Sequence, residues 1–125
     1  MEDPGSPPRH FETVSPEAVA AAIASGSLAL VDVREEAEWE AGRVAVAVNV
    51  PLAALAADPG RIRTVAGSLP VAFICRSGKR SASACSIAVE SGVAAVSNVG
   101  GGMKAWVAAG LSIEPRDGEV LDRRP

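Results

Sequence analysis

The chain is short of the residues that carry most binding and metal chemistry. Aromatics make up 3% of its 125 positions, Tyr is absent, and there is one His. With so few aromatics the interior has to be built from Val, Ile, Leu and Ala, a composition that suits parallel strands covered by helices. One His and two Cys without a Cys/His cluster exclude the usual structural zinc sets, so no metal is expected. Two Cys do not make a disulfide scaffold, and a cytoplasmic protein with reduced thiols is expected. There is no basic excess: 12 Lys and Arg stand against 15 Asp and Glu, for a net charge of -3, which argues against nucleic-acid binding. No apolar run approaches the roughly 20 residues of a spanning helix. The start, MEDPGSPPRHFET, is acidic and Pro-rich, so neither an export signal nor a membrane anchor is expected.

What is present suffices for one globular domain, with 48% hydrophobic and 22% charged residues. Residues 1–10, with three Pro, read as a flexible tail. Phe11 to Val14 suits a short edge strand. Ser15-Pro16-Glu17 is a helix start, with Ser as cap and Pro in the first turn, and Gly26 stops that helix. Leu28 to Val33, Val44 to Val50, Val71 to Ile74 and Ala94 to Val99 read as further strands. Helices are expected over Glu35 to Ala41, Leu52 to Ala57, Arg61 to Val65, Ser81 to Ser91 and Met103 to Ala109, with a turn at Gly100 to Gly102. Strands alternating with helices predict an α/β domain over residues 11–115. It should have a mainly parallel central sheet of about five strands, helices on both faces, and a polar tail at 116–125. Chemistry in such sheets lies beyond the carboxyl ends of the strands, which points to the loops after Val33, Ile74 and Val99.

The loop after Ile74 carries the strongest signal. Cys75-Arg76-Ser77-Gly78-Lys79-Arg80-Ser81 joins a strand to a helix. Successive loop N–H groups and a helix N-terminus can converge on one anion. Gly78 permits the curvature. Arg76, Lys79 and Arg80 add three cations around Cys75. Such surroundings lower a thiol pKa and favour the reactive thiolate, so an activated nucleophile arises without a His partner.

This loop resembles the active-site loop of the rhodanese (sulfurtransferase) family, especially its single-domain members. The likeness runs from about Val14 to Pro115. It also rests on Val31-Asp32-Val33-Arg34, on Ala41-Gly42-Arg43-Val44 leading to Asn49-Val50-Pro51, and on Gly101-Gly102-Met103-Lys104-Ala105-Trp106. The resemblance implies that Cys75 takes a sulfane sulfur from a small anionic donor such as thiosulfate. The resulting persulfide is passed to a thiol or cyanide acceptor, or to a sulfur-acceptor protein, and no cofactor is implied. Arg76, Ser77, Gly78, Lys79, Arg80 and Ser81 would bind the donor and hold the persulfide. Where the family often has His and Gly, this chain has Arg43 and Val46. The alternatives are a catalytically idle or partner-dedicated rhodanese module, and a Cys-dependent phosphatase or arsenate reductase. Cell-cycle dual-specificity phosphatases resemble the fold but carry one residue more between Cys and Arg than the four that separate Cys75 from Arg80.

Asp32 and Arg34 sit at a strand end facing this loop and, with Arg43, are expected to support it. Cys85, with Ala82, Ala84, Ala88 and Val89 around it, reads as a small core residue rather than a resolving thiol. Trp39 and Trp106 read as caps on the core edges. His10 lies in the tail and is not expected to act.

Overall fold

Five parallel strands form the centre of the molecule. The computed structural model describes residues 11–121. The strands are β1 (Glu12–Val14), β2 (Ala29–Asp32), β3 (Val48–Asn49), β4 (Val71–Ile74) and β5 (Val96–Val99). They lie in the order β1-β5-β4-β2-β3, and every pairing is parallel. The helices are α1 (Pro16–Ala24), α2 (Glu36–Ala41), α3 (Leu52–Ala57), α4 (Arg61–Ala66), α5 (Lys79–Glu90) and α6 (Gly102–Ala108). Among the described residues no helix is long and apolar enough to cross a membrane. The expected tail over residues 1–10, with His10, lies outside the described residues, as do residues 122–125.

Local signals explain several boundaries. The Ser15 hydroxyl accepts from the Ala18 N–H at 3.1 Å and caps α1, whose exit is turned by Gly26 at φ +74°. β4 is the middle strand, and all four of its residues are buried because both faces are covered. Its side chains alternate between two cores. Val71, Phe73 and Cys75 join Leu55 of α3, Ile62 of α4 and Ala84, Cys85 and Ala88 of α5. Ala72 and Ile74 join Val19 of α1 and Met103 and Trp106 of α6. The α/β class, the five-stranded parallel sheet and the helices on both faces agree with the sequence reading.

Two boundaries differ in ways that matter. Of the expected strand Val44 to Val50, Val48 and Asn49 pair in register with β2, and the Val50 N–H donates to the Asp32 carbonyl at 2.9 Å. Before them, Arg43 bridges Glu114 through two backbone hydrogen bonds of 2.9 and 2.7 Å, and the Ala47 N–H turns back to the Val44 carbonyl at 3.0 Å. Val/Ala composition does not distinguish such a turn from an edge strand. The helix expected from Ser81 begins two residues earlier, so Lys79, Arg80 and Ser81 form the first turn of α5. Residues 116–121, expected as tail, remain attached: the Glu119 N–H donates to the Ala41 carbonyl at 2.9 Å, and Val120 packs on the core.

A buried ion pair ties the exit of β2. The Arg34 guanidinium grips Asp32 through Nε and Nη2, with Nη2 to Oδ2 at 2.7 Å, and neither side chain is exposed. The same guanidinium donates to the carbonyls of Glu38 at 3.3 Å and Gly42 at 2.8 Å, which fixes α2 and the chain leaving it. Removing one partner of such a pair strands a buried charge. Asp32→Ala is therefore expected to cost about 3–5 kcal/mol of stability, read from the shift of a urea unfolding curve. A loss below about 1 kcal/mol, the scale of an exposed pair, would contradict the buried-pair account.

Candidate active site

β4 delivers Cys75 to the point where the sheet ends and α5 begins. Cys75 is 1% exposed, so its sulfur is reached only at the loop itself, where Ser77 and Lys79 are exposed and Arg76 is half-buried. The Gly78 N–H donates to Sγ at 3.1 Å, and the Ser81 Oγ lies 3.3 Å from it. Gly78 turns the loop into α5 at φ +109°, a conformation that other residues rarely adopt.

The start of α6 sets the orientation of this loop. The Met103 N–H donates to the Cys75 carbonyl at 2.8 Å, and the Lys104 N–H donates to the Arg76 carbonyl at 3.1 Å. These are N–H groups that a helix start would otherwise leave unpaired. In a trans peptide the carbonyl and the following N–H point in opposite directions. Turning the Cys75 and Arg76 carbonyls toward α6 therefore turns the N–H groups of Arg76 and Ser77 away from it, toward the cradle. The approach is close enough to require Gly102, which has φ +59°. A Cβ there would overlap the Cys75 carbonyl oxygen and lie 2.7 Å from the Arg76 carbonyl carbon.

Burial pushes the Cys75 thiol up, but the hydrogen bonds its thiolate can accept, from the Ser81 hydroxyl and from the N–H groups of Ser81, Gly78 and Ser77, outweigh it. The thiol is held below the ordinary cysteine value. Cys85 meets the opposite fate: burial, and the nearby Cys75, push it up to about 12. Its Sγ donates to the Ser97 carbonyl at 3.3 Å, deep in the core.

Arg80 does not stand among the substrate-facing cations as the sequence suggested. Its two terminal nitrogens bind Glu38 of α2 at 2.7 and 2.9 Å. Glu38 is buried. That burial works against its charge, but Arg80, the Glu35 N–H and Arg34 together hold its carboxyl below the usual range. Asp32 and Arg34 reach the loop indirectly, because Arg34 holds α2, and α2 presents Glu38 to Arg80. Arg43 lies elsewhere: its guanidinium stacks 4.5 Å above the Trp39 ring, and its backbone pairs with Glu114. Val46 is exposed and has no left-handed backbone, so replacing Gly there brings no strain. Trp106 is buried and donates to the Ser112 carbonyl at 3.0 Å.

The sequence reading missed the roles of three residues at this site. Glu38 accepts from the Glu35 N–H at 3.1 Å in a capping box, and the spacing Glu35-x-x-Glu38 marks only a helix start. Gly102 is hidden in a run of three glycines. Asn98 is buried in β5, and a lone Asn in the strand Val96-Ser97-Asn98-Val99 was the available signal, since buried amides need partners.

The family model described as Rhodanese-like domain matches residues 15–109. A sulfurtransferase of Allochromatium vinosum is 35% identical over 89 residues, which cover 71% of this chain and 80% of that protein. A rhodanese-related protein from Thermoplasma volcanium shares the fold with a TM-score of 0.70 at 23% identity, over 82% of this chain and 97% of the other. A protein of unknown function from Rhodopseudomonas palustris, described as a possible tyrosine phosphatase, gives a TM-score of 0.71 at 27% identity, over 83% and 85% of the two chains.

Two outcomes follow from this geometry. Gly102→Ala should destabilise the fold by at least about 1–2 kcal/mol from the left-handed backbone alone. It should also move the pH profile of Cys75 alkylation toward that of an ordinary thiol, and unchanged stability with an unchanged profile would refute the role given to α6. In the wild-type protein near neutral pH, iodoacetamide should add one carbamidomethyl group, on Cys75. Peptide mapping that found Cys85 modified at a similar rate in the folded protein would contradict the assignment of the two thiols.

Proposed function

Because the chain belongs to the family of rhodanese-like domains, we propose that Cys75 carries a sulfane sulfur as a persulfide between an anionic donor such as thiosulfate and a thiophilic acceptor. Family membership and the sulfurtransferase relative support a sulfurtransferase-type function. The observation that carries the finer reading is the loop itself, with carbonyls turned to α6 and N–H groups closing on one sulfur.

The chemistry divides one transfer into two displacements. The Cys75 thiolate attacks the outer sulfur of thiosulfate. A new S–S bond forms, the old one breaks, and its electron pair leaves with sulfite. The persulfide's outer sulfur then carries the negative charge, which the loop N–H groups stabilise as fixed donors. A thiolate or cyanide attacks that outer sulfur, and the Cys75 thiolate departs. Exposed Lys79, with Arg76 beside it, faces the incoming anion, and the acceptor is a small thiol, cyanide or a protein thiol.

The likeness to a protein described as a possible tyrosine phosphatase raises phosphoryl transfer as a rival. Two features speak against it. Arg80 is already ion-paired with the buried Glu38 through both terminal nitrogens, so a phosphate would have to compete with that carboxylate for its charge. An aryl or alkyl leaving group also benefits from a general acid. Yet Asp32 is ion-paired with Arg34, and Glu38 is held ionised.

Intact-mass measurement after exposure to thiosulfate should show the gain of one sulfur atom, lost on adding cyanide. Cys75→Ser should show no gain and no thiosulfate:cyanide turnover while remaining folded. On the same preparation aryl phosphate hydrolysis should be negligible. Sulfur loading of Cys75→Ser, or Cys75-dependent phosphatase turnover rivalling sulfur transfer, would overturn the reading.

A further inference from the structure

Behind Cys75 lies a chain of hydrogen bonds that is short of one proton. The Ser81 Oγ lies 2.6 Å from Asn98 Oδ1, and the Cys75 Sγ lies 3.3 Å from the same hydroxyl. Asn98 Nδ2 donates to the Gly78 carbonyl at 3.2 Å. That contact fixes the amide, because the flipped orientation would set two carbonyl oxygens against each other. Oδ1 therefore faces Ser81 and can only accept, so the single hydroxyl proton of Ser81 goes to Asn98. Toward Cys75 the Ser81 oxygen then offers a lone pair, which suits a thiol S–H and opposes a thiolate. When Cys75 gives its proton to solvent, the Ser81 hydroxyl has to rotate toward Sγ. Asn98 Oδ1, which is almost fully buried, then loses its donor.

We propose that Asn98 is a positioning residue that acts on Cys75 through Ser81, keeping the Ser81 proton off Sγ until Sγ carries a full negative charge. No proton leaves Ser81; its hydroxyl only changes partner. If Cys75 is the sulfur carrier, as proposed above, the consequence extends to the loaded state. The persulfide's charge sits on the outer sulfur, Sγ no longer needs the Ser81 proton, and the Ser81–Asn98 bond is restored. Asn98 thus favours the loaded cysteine over the bare thiolate.

The charged groups around the loop leave this device intact. Arg80 of α5 is paired with Glu38 of α2, and Asp32 and Arg34 at the end of β2 are paired with each other. Lys79 of α5 and Lys104 of α6 are exposed, Arg76 is half-buried in the loop, and Cys85 of α5 stays a neutral thiol. None of them accepts the Ser81 proton.

The test is the pH dependence of Cys75 alkylation by iodoacetamide, which needs no sulfur donor and so stands or falls apart from the sulfurtransferase reading. Asn98→Ala and the near-isosteric Asn98→Leu free Ser81 to donate to the thiolate. Each should lower the Cys75 pKa by about one unit, a roughly tenfold faster reaction below the wild-type midpoint. In a Ser81→Ala background the same Asn98 changes should have no further effect. A purely structural role would slacken Gly78 and its N–H donor, raise the pKa, and persist without Ser81; either result overturns the proposal. A second measurement uses the folded wild-type chain. The 13Cγ signal of Asn98 should titrate with the Cys75 midpoint, and this titration should vanish in Ser81→Ala. A titration that survives there is a direct field effect and refutes the relay.

Discussion

Two hydrogen bonds from the start of α6 to the carbonyls of Cys75 and Arg76 govern the rest of this site. They decide which way the first loop peptides face, and so whether the sulfur meets N–H groups or carbonyl oxygens. The position of α6 is in turn a matter of packing. Met103 and Trp106 are buried against Val19 and Val99 on the face of the sheet opposite Cys75. β5 lies beside β4 in parallel, so both strands end on the same side and the loop after each meets the other. Apolar packing on one face of the sheet therefore sets the electrostatics at a sulfur whose own packing is on the other face.

The second constraint comes from the opposite neighbour, β2. Asp32 holds Arg34, Arg34 holds the carbonyls of Glu38 and Gly42, and Glu38 holds Arg80. Buried charges of this kind contribute little net stability against apolar replacements, yet breaking one partner is costly. Their effect here is geometric. Arg80, in the first turn of α5, is tied to α2 through Glu38. The exposed positive charge left for a visitor lies on Lys79 of α5 and Lys104 of α6.

Much of this was legible in the sequence, for physical reasons. β4 reads as a buried strand because it is covered on both sides, and Ser15 and Pro16 announce α1 because caps act locally. The Cys75 loop reads as an anion cradle because its Gly and its cations lie within a few residues of the thiol. What was not legible is what depends on distant chain. Glu38 and Arg80 are 42 residues apart, and Asn98 and Gly78 are 20 apart. Nothing local marks such partners, so Arg80 looked like a free cation and Arg43 like a loop support. The segment from Val44 to Ala47 failed for a different reason. Val and Ala alternate there, but Glu114 rather than a neighbouring strand claims the Arg43 backbone.

A cysteine site with no His among the described residues of its hydrogen-bond network stabilises its thiolate by means that do not titrate. Near Cys75 the donors are backbone N–H groups and one hydroxyl, and the nearest carboxylates are held ionised or ion-paired by arginines. A His would supply a larger activation, but it would also couple the nucleophile to a second proton near neutral pH. Fixed dipoles give a smaller stabilisation that is the same at every pH where the fold is intact. The backbone N–H groups among them also serve the thiolate and the terminal sulfur of a persulfide alike, since both are single anionic atoms, a short distance apart, within one ring of donors. For a carrier that must hold its cargo without committing a proton, that is the more useful arrangement. In this site, α6, Glu38 and Asn98 each constrain one side of the loop that provides it.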